Sequence, residues 1–145
     1  MLVVADTSVL VPASTKFDGE GNAARSFLND LADGRELQIL KNFSQLEFLS
    51  AMRRLNANRQ LSDEGAMAAI KRFVELPAKR REVTQPMAIR IWELRNNHSA
   101  YDGAFIALTE RLTSIESTAV LATADAKLCA SPTISIQTEL FSYQE

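Results

Sequence analysis

The chain has 145 residues, 46% hydrophobic and 23% charged, with a formal net charge of −2, which is the size and balance of one globular domain with a sizeable core. A single cysteine, Cys129, excludes an intrachain disulfide and a cysteine-rich zinc site. No apolar stretch reaches the roughly 18 residues of a spanning helix, and the N-terminus lacks the basic start and apolar run of a signal peptide, so membrane and secretion readings drop out and a cytoplasmic location is expected.

Leu2-Val3-Val4-Ala5 is an unbroken apolar run with two β-branched residues, the pattern of a strand buried on both faces at the centre of a parallel sheet. Asp6 follows at once. Ligands of open α/β sheets gather beyond the carboxyl ends of the strands, so Asp6 is placed where an active-site crevice is expected. Val9 to Ala13 is expected to start a short helix in which Pro12 fits only the first turn. Ser14 to Asn22, with Gly19 and Gly21, reads as an exposed loop. Gly-Glu-Gly there is no phosphate cradle, because the preceding strand, the third glycine and a following Gly-Lys-Ser/Thr are missing. Ala23 to Ala32 has helical spacing, Gly34 stands where a helix stop would lie, and Leu37 to Leu40 predicts a short strand.

From Asn42 or Ser44 to about Asn58, Leu46, Leu49, Met52 and Leu55 recur every three residues and predict a core-facing stripe. Glu47 lies beside it, and Arg54 falls on the same line as Glu47, roughly 10 Å further along. The plain alternative is a boundary glutamate on an amphipathic helix. A helix opens at Asp63-Glu64 and runs to Leu76, where Pro77 closes it. Lys79-Arg80-Arg81 reads as a loop cluster, followed by a brief strand near Glu82 to Thr84. Pro86 suits the first turn of a helix to about Asn96, on whose apolar stripe Trp92 is expected to be core rather than a base-stacking platform.

Asn96 to Ser99 is a break, and His98, the only histidine, reads as a loop residue. A helix from about Ser99 to Leu112 has its apolar stripe along Tyr101, Phe105, Leu108 and Leu112 and carries Asp102 in its first turn. Ser99-x-x-Asp102 resembles a capping box, and an acid at a helix N-terminus needs no function to explain it. Thr118 to Thr123 predicts a second buried strand, again with an acid, Asp125, just beyond its end. Thr133 to Ile136 predicts the last strand. The alternation of strands and helices predicts a three-layer α/β/α domain with a mainly parallel sheet of about five strands.

Charge is unevenly distributed. Residues 53 to 90 hold nine Lys/Arg, among them Arg53 and Arg54, against four Asp/Glu, while both flanks are acidic. Such a middle suits a face that holds a polyanion, or a set of solvated helix faces. Four carboxylates stand out by placement: Asp6, Glu47, Asp102 and Asp125. Brought into one crevice they would repel by about 4 kcal/mol per close pair even at an effective dielectric of 20. A cluster of this kind needs a cation, and oxygen ligands in a chain with one His and one Cys select Mg²⁺ or Mn²⁺ over zinc.

Val4-Ala5-Asp6-Thr7-Ser8-Val9-Leu10, Leu46 to Arg54, Ser99 to Leu108 and Leu121 to Leu128 resemble, in order and spacing, the four acidic motifs of PIN-domain ribonucleases, and most closely those of VapC-type toxins of bacterial toxin–antitoxin pairs. The resemblance covers essentially the whole chain. It implies a PIN-like α/β/α domain over residues 1–145. By it, Asp6, Glu47, Asp102 and Asp125 are the metal-binding acids of a Mg²⁺- or Mn²⁺-dependent endoribonuclease, Asp6 and Asp102 the direct ligands of first choice. Thr7, Ser8 and Thr123 are candidates to hydrogen-bond the attacking water or an acid ligand, or are turn residues bonding local backbone. The resemblance also implies a homodimer and a small VapB-like antitoxin whose segment packs over apolar helix surface and blocks the site. Two positions depart from the family pattern. Gly103 stands where Ala is usual, which should cost the helix about 1 kcal/mol, and Ser50 replaces a common Asn.

Other readings fit less well. A phosphotransfer receiver would want adjacent acids after the first strand, and a haloacid-dehalogenase-type phosphatase an acid at the position of Ser8. Histidine-based ribonuclease chemistry would need a partner for His98. A degenerate PIN domain serving as a non-catalytic RNA- or protein-binding module would normally have lost one or more of the four acids.

Overall fold

A computed structural model describes residues 2–15, 19–33, 36–115 and 118–144. Five parallel strands form one sheet in the order β3-β2-β1-β4-β5: β1 (Leu2–Ala5), β2 (Leu37–Leu40), β3 (Ala78–Arg81), β4 (Ala119–Thr123) and β5 (Gln137–Leu140). The helices are α1 (Thr7–Thr15), α2 (Gly19–Ala32), α3 (Phe43–Ala57), α4 (Asp63–Val74), α5 (Gln85–Glu93), α6 (Ala100–Ile115) and α7 (Ala126–Cys129).

The run Leu2 to Ala5 is central, as its composition requires. Val3 and Ala5 join a core cluster with Val9, Leu28, Phe48 and Phe73 on one side of the sheet. Val4 joins a second cluster with Phe105, Leu108, Leu121 and Leu128 on the other. Successive strand residues point to opposite faces, so an unbroken apolar run is what two covered faces demand. On the first side Phe48 of α3 stacks on Phe73 of α4, ring centroids 4.4 Å apart and 12° from parallel. Asn42 leads into α3 with φ 59°, a left-handed conformation that asparagine tolerates.

Several expectations need correction. Pro12 lies well inside α1, not in a first turn, because the helix begins at Thr7, and the proline ring is buried where its missing N–H leaves one turn unbonded. Residues 19–22 are the start of α2 rather than loop, and Gly19 lies beneath the Tyr143 phenol, where a Cβ would collide. The helix stop expected at Gly34 falls outside the described residues. Lys79, Arg80 and Arg81 are strand β3, not a loop, and residues 82–84 are not strand. An edge strand pairs on one side only and can carry charge on its faces, so it shows no apolar run. β5, the opposite edge, begins four residues later than Thr133 for the same reason.

Two helix stripes also differ. On α3 the buried residues are Ser44, Phe48, Ala51 and Met52, and Leu46 is 67% exposed. A strict three-residue recurrence drifts around a 3.6-residue helix, so Leu46 to Leu55 cannot all face the core. Trp92 is likewise 67% exposed, because α5 turns Met87, Ile91 and Leu94 inward, and the Arg95 guanidinium lies 4.3 Å from its ring centroid.

Four of the nine basic residues in the middle are occupied with structure. The Arg80 guanidinium donates to the carbonyls of Phe73 and Val74 at 3.1 Å each, closing the C-terminal end of α4. Arg72 donates to Ser14 O, Arg81 to Gln38 Oε1 and Arg90 to Glu110. No helix of the described residues is long and apolar enough to cross a membrane.

Gly103 sits on α6 against Ile91 of α5, and a Cβ there would meet Ile91 Cγ2 at 3.4 Å, an ordinary packing distance. Gly103→Ala should therefore stabilise the fold by about 1 kcal/mol, a rise of a few degrees in melting temperature. A thermal melt that falls would show that α5 and α6 need the closer approach.

Candidate active site

The site lies beyond the carboxyl ends of β1 and β4, two neighbouring strands at the centre of the sheet. Ala5 is paired with Ala122, and the Asp6 N–H donates to Ala122 O at 3.1 Å, so the chain leaves both strands at the same level. Each exit is an acid that starts a helix. Asp6 Oδ1 accepts from Ser8 N at 2.9 Å, in the first turn of α1. Asp125 Oδ1 accepts from Lys127 N at 2.9 Å and Leu128 N at 3.3 Å as the N-cap of α7. Capping uses one carboxylate oxygen of each and fixes both side chains at the rim of the sheet.

The other two acids come from helices on either side. Glu47, on α3 from the first layer, accepts a hydrogen bond at Oε1 from Thr7 Oγ1 at 2.9 Å. Asp102 is in the first turn of α6, whose start is capped by Ser99 Oγ accepting from Asp102 N at 3.1 Å. All four acids line one small cleft of about 130 Å³ together with Thr7, Ser8 and Phe105. The four residues singled out by placement in the sequence are thus brought together.

The hydroxyl residues around them form a short relay. Ser8 Oγ donates to Asp6 Oδ1, accepts from Ala124 N at 2.8 Å and lies 3.5 Å from Thr123 Oγ1. Thr123 Oγ1 in turn accepts from Asp125 N at 3.1 Å. Thr7 and Ser8 therefore bind acid side chains while Thr123 bonds local backbone, so both readings occur among the three. Arg54 does not reach this cleft but lines a larger groove beside it, and Arg53 borders a separate depression further along α3.

Sequence reasoning missed the walls of that groove. Tyr101 is 58% exposed at its mouth, although periodicity had assigned it to the buried stripe of α6. His98 is anchored, its Nε2 2.8 Å from Thr133 Oγ1 and 3.2 Å from Ser131 Oγ, which ties the loop before α6 to the segment after α7. No periodicity links such distant polar residues, so no sequence signal could have found that clasp.

The electrostatics are unfavourable for four ionised acids. Burial pushes the Asp6 carboxyl above its ordinary 3.8, against hydrogen bonds from Ser8 and Thr123 that favour the charged form, and the charge of Asp102 adds to the rise. Glu47 is raised first by burial and then by the charges of Asp6 and Asp102, with the Thr7 bond opposing. Asp102 is raised by burial and by Asp125, with His98 and the Ser99 bond opposing. Among the described residues no three His, Cys, Asp or Glu side chains are drawn into a ready-made ligand set. The donor set fits a hard cation in kind, since the groups are carboxylates and hydroxyls facing one cleft, and closing on it would require the side chains to converge further.

These shifts have a definite sign. A carboxyl raised in the folded state holds its proton more tightly folded than unfolded, so its contribution to stability is full below the unfolded pKa and is lost as pH rises through the folded one. In chelator, the stability of Asp6→Asn relative to wild type should therefore increase from about pH 4 to about pH 8. Urea melts at several pH values check this, and a flat difference would mean that Asp6 is not perturbed. The caps give a second outcome: Asp125→Asn can still accept from Lys127 N and Leu128 N, so Asp125→Ala should be less stable than Asp125→Asn by about 1 kcal/mol, read from the same melts.

No family model matches the chain. Over 67 residues, 46% of this chain and 51% of the relative, it is 31% identical to Ribonuclease VapC12 of Mycobacterium tuberculosis, in each of two strains. The chain thus spans about half the length of the curated relatives it matches. The structure is similar to that of Mycobacterium tuberculosis VapC20, described as a sarcin-ricin loop cleaving toxin, with a TM-score of 0.64 at 17% identity over 93% of this chain and 98% of that one. It is also similar to VapBC2 from Rickettsia felis, solved bound to a DNA fragment from their promoter, with a TM-score of 0.67 at 15% identity over 98% and 100%. At such identities the likeness is one of fold. The shared three-layer fold and the partial sequence match bear out the resemblance to PIN-domain, VapC-type proteins that the four acidic motifs carry.

Proposed function

We propose that residues 1–145 act as one PIN-like nuclease domain that hydrolyses RNA phosphodiester bonds with a divalent cation, as the toxin of a toxin–antitoxin pair. The observation that carries this reading is the convergence of Asp6, Glu47, Asp102 and Asp125 from four separate elements on one cleft at the carboxyl edge of the sheet. Burial and mutual repulsion raise three of them, and no lysine or arginine lines the cleft. By contrast, Glu110 and Glu82 are paired with cations, Glu110 with Arg90 at 2.9 Å and Glu82 with Lys41 at 3.4 Å.

Asp6, Glu47, Asp102 and Asp125 would hold one or two Mg²⁺ or Mn²⁺ ions. When bound, such an ion supplies charge neutralisation at the phosphate oxygens and a more acidic water. The chain's own part is positioning. Ser8 fixes the rotamer of Asp6 through one oxygen, Thr7 holds Glu47, and the Ser8–Thr123 contact keeps the exits of β1 and β4 together. The sequence likeness to a VapC ribonuclease supports RNA as substrate, and the likeness to VapBC2 supports a VapB-like antitoxin as partner; that a segment of it blocks the site, and that the chain is a homodimer, follow from the resemblance of the four motifs alone.

The purified chain should cleave RNA in Mg²⁺ or Mn²⁺ and lose that activity in chelator. Asp6→Asn, which keeps the capping geometry, should fold as wild type and lose about 100-fold or more in rate. Wild-type cleavage by Asp6→Asn at matched purity would remove the four-acid mechanism. If the Mg²⁺ dissociation constant is about 1 mM, about 10 mM Mg²⁺ should stabilise wild type by about 1.4 kcal/mol, and Asp6→Asn by less.

A further inference from the structure

A groove of about 610 Å³ opens from the acidic cleft and shares Thr7, Ser8 and Glu47 with it. Near that end its walls are apolar and exposed. Tyr101 on α6 is 58% exposed and Leu46 on α3 is 67% exposed, each immediately before one of the acids, Asp102 and Glu47. The Tyr101 ring does not hang free. It packs on Phe43 with centroids 5.0 Å apart, and Phe43 packs edge-on against the buried Phe105 at 6.0 Å, so the ring is held in place from the core side. Towards the other end lies Arg54, two helical turns or about 10 Å beyond Glu47. Its guanidinium has no hydrogen-bond or ion-pair partner among the described residues. Among the described residues it is the one cation lining the groove.

We propose that this groove is a subsite for single-stranded RNA in which Tyr101 is the platform on which a base beside the scissile phosphate stacks and Arg54 anchors a neighbouring phosphate. The inference rests on the ribonuclease reading of the adjacent acids. A rigidly backed aromatic ring next to a cation is the combination that holds unpaired nucleotides, because every base has a π-face and every linkage a charge. The acids at the cleft repel phosphate at that end of the groove, so Arg54 sets the position of the backbone. A duplex cannot use the platform, since its bases are already stacked on one another. Trp92, although as exposed, does not line this groove and is covered by Arg95.

Binding separates this proposal from catalysis. In Asp6→Asn, with Mg²⁺ present, the probe is a fluorescent single-stranded oligoribonucleotide of about eight nucleotides, followed by anisotropy, with a hairpin duplex of the same composition as comparison. Tyr101→Ala added to that background should weaken binding of the single strand about tenfold, and Tyr101→Phe should retain it, with little change for the duplex. Arg54→Ala should weaken binding and lower the salt slope by about 0.7. Single-strand binding unchanged by Tyr101→Ala, or lost equally for strand and duplex, would overturn the proposal and leave the groove to a polypeptide. Cleavage by the wild-type chain is read separately. Tyr101-dependent binding without cleavage would sink the ribonuclease reading and keep the subsite, and cleavage with Tyr101-independent binding would do the reverse.

Discussion

The pairing of β1 with β4 is the constraint on which the site depends. The register that sets Ala5 beside Ala122 also brings Asp6 and Asp125 to the same rim of the sheet, and three contacts fasten the two exits: Asp6 N to Ala122 O, Ala124 N to Ser8 Oγ, and Ser8 Oγ to Thr123 Oγ1. A slip of one residue would move one acid by about 3.3 Å and turn Val3 and Val4 to the wrong layers. The same apolar packing that makes β1 central therefore fixes the geometry of the acids. Glu47 and Asp102 are then delivered from opposite layers by α3 and α6, which are packed on the two faces of that sheet through Phe48 and Phe105.

Against this rigid frame the charges are left unbalanced. Asp6 is only 7% exposed, yet its hydrogen-bond partners are hydroxyls and a backbone N–H rather than a cation. Hydroxyl donors favour the ionised form but do not cancel the field between carboxylates, and burial still dominates. Meanwhile Arg72, Arg80, Arg81 and Arg90 bond to carbonyls, an amide and a carboxylate away from the cleft. Four of the nine basic residues between 53 and 90 thus close helix ends, fasten an edge strand or join α5 to α6. Of the other five, Arg54 is the one that lines the groove beside the acids, and a local excess of basic residues does not by itself amount to a binding face.

Central and edge strands differ in how clearly they can be read from the sequence. β1, β2 and β4 are apolar runs because both faces are covered, and the helices between them carry 3.6-residue periodicity. β3 and β5 are edges whose residues are charged or polar, so their hydrogen bonding leaves no apolar trace, and each was displaced in the reading by about four residues. The acids illustrate a different limit. Spacing alone gave Asp102 and Glu47 structural explanations as good as functional ones, and only the agreement of four motifs selected between them. The structure shows that the alternatives were never exclusive: Asp6 and Asp125 begin helices with one oxygen and face the cleft.

Leu46, Tyr101 and Trp92 were each assigned to a core stripe and are each exposed, but their surroundings differ. Trp92 carries the Arg95 guanidinium over one ring face, and Met67 and Val74 lie on α4 outside the lining of the acidic cleft, the scattered apolar exposure common on protein surfaces. Leu46 and Tyr101 instead line one groove that shares Glu47 with the acidic cleft. Apolar exposure and like-charge burial each oppose folding, and here both occur at one edge of the sheet, where local sequence rules are broken together rather than at random. A core that covers both faces of β1 makes such a concentration tolerable, because the elements that carry the offending residues are held by contacts elsewhere along their length: α3 by Phe48 on Phe73, and α6 by Phe105, Leu108 and Leu112.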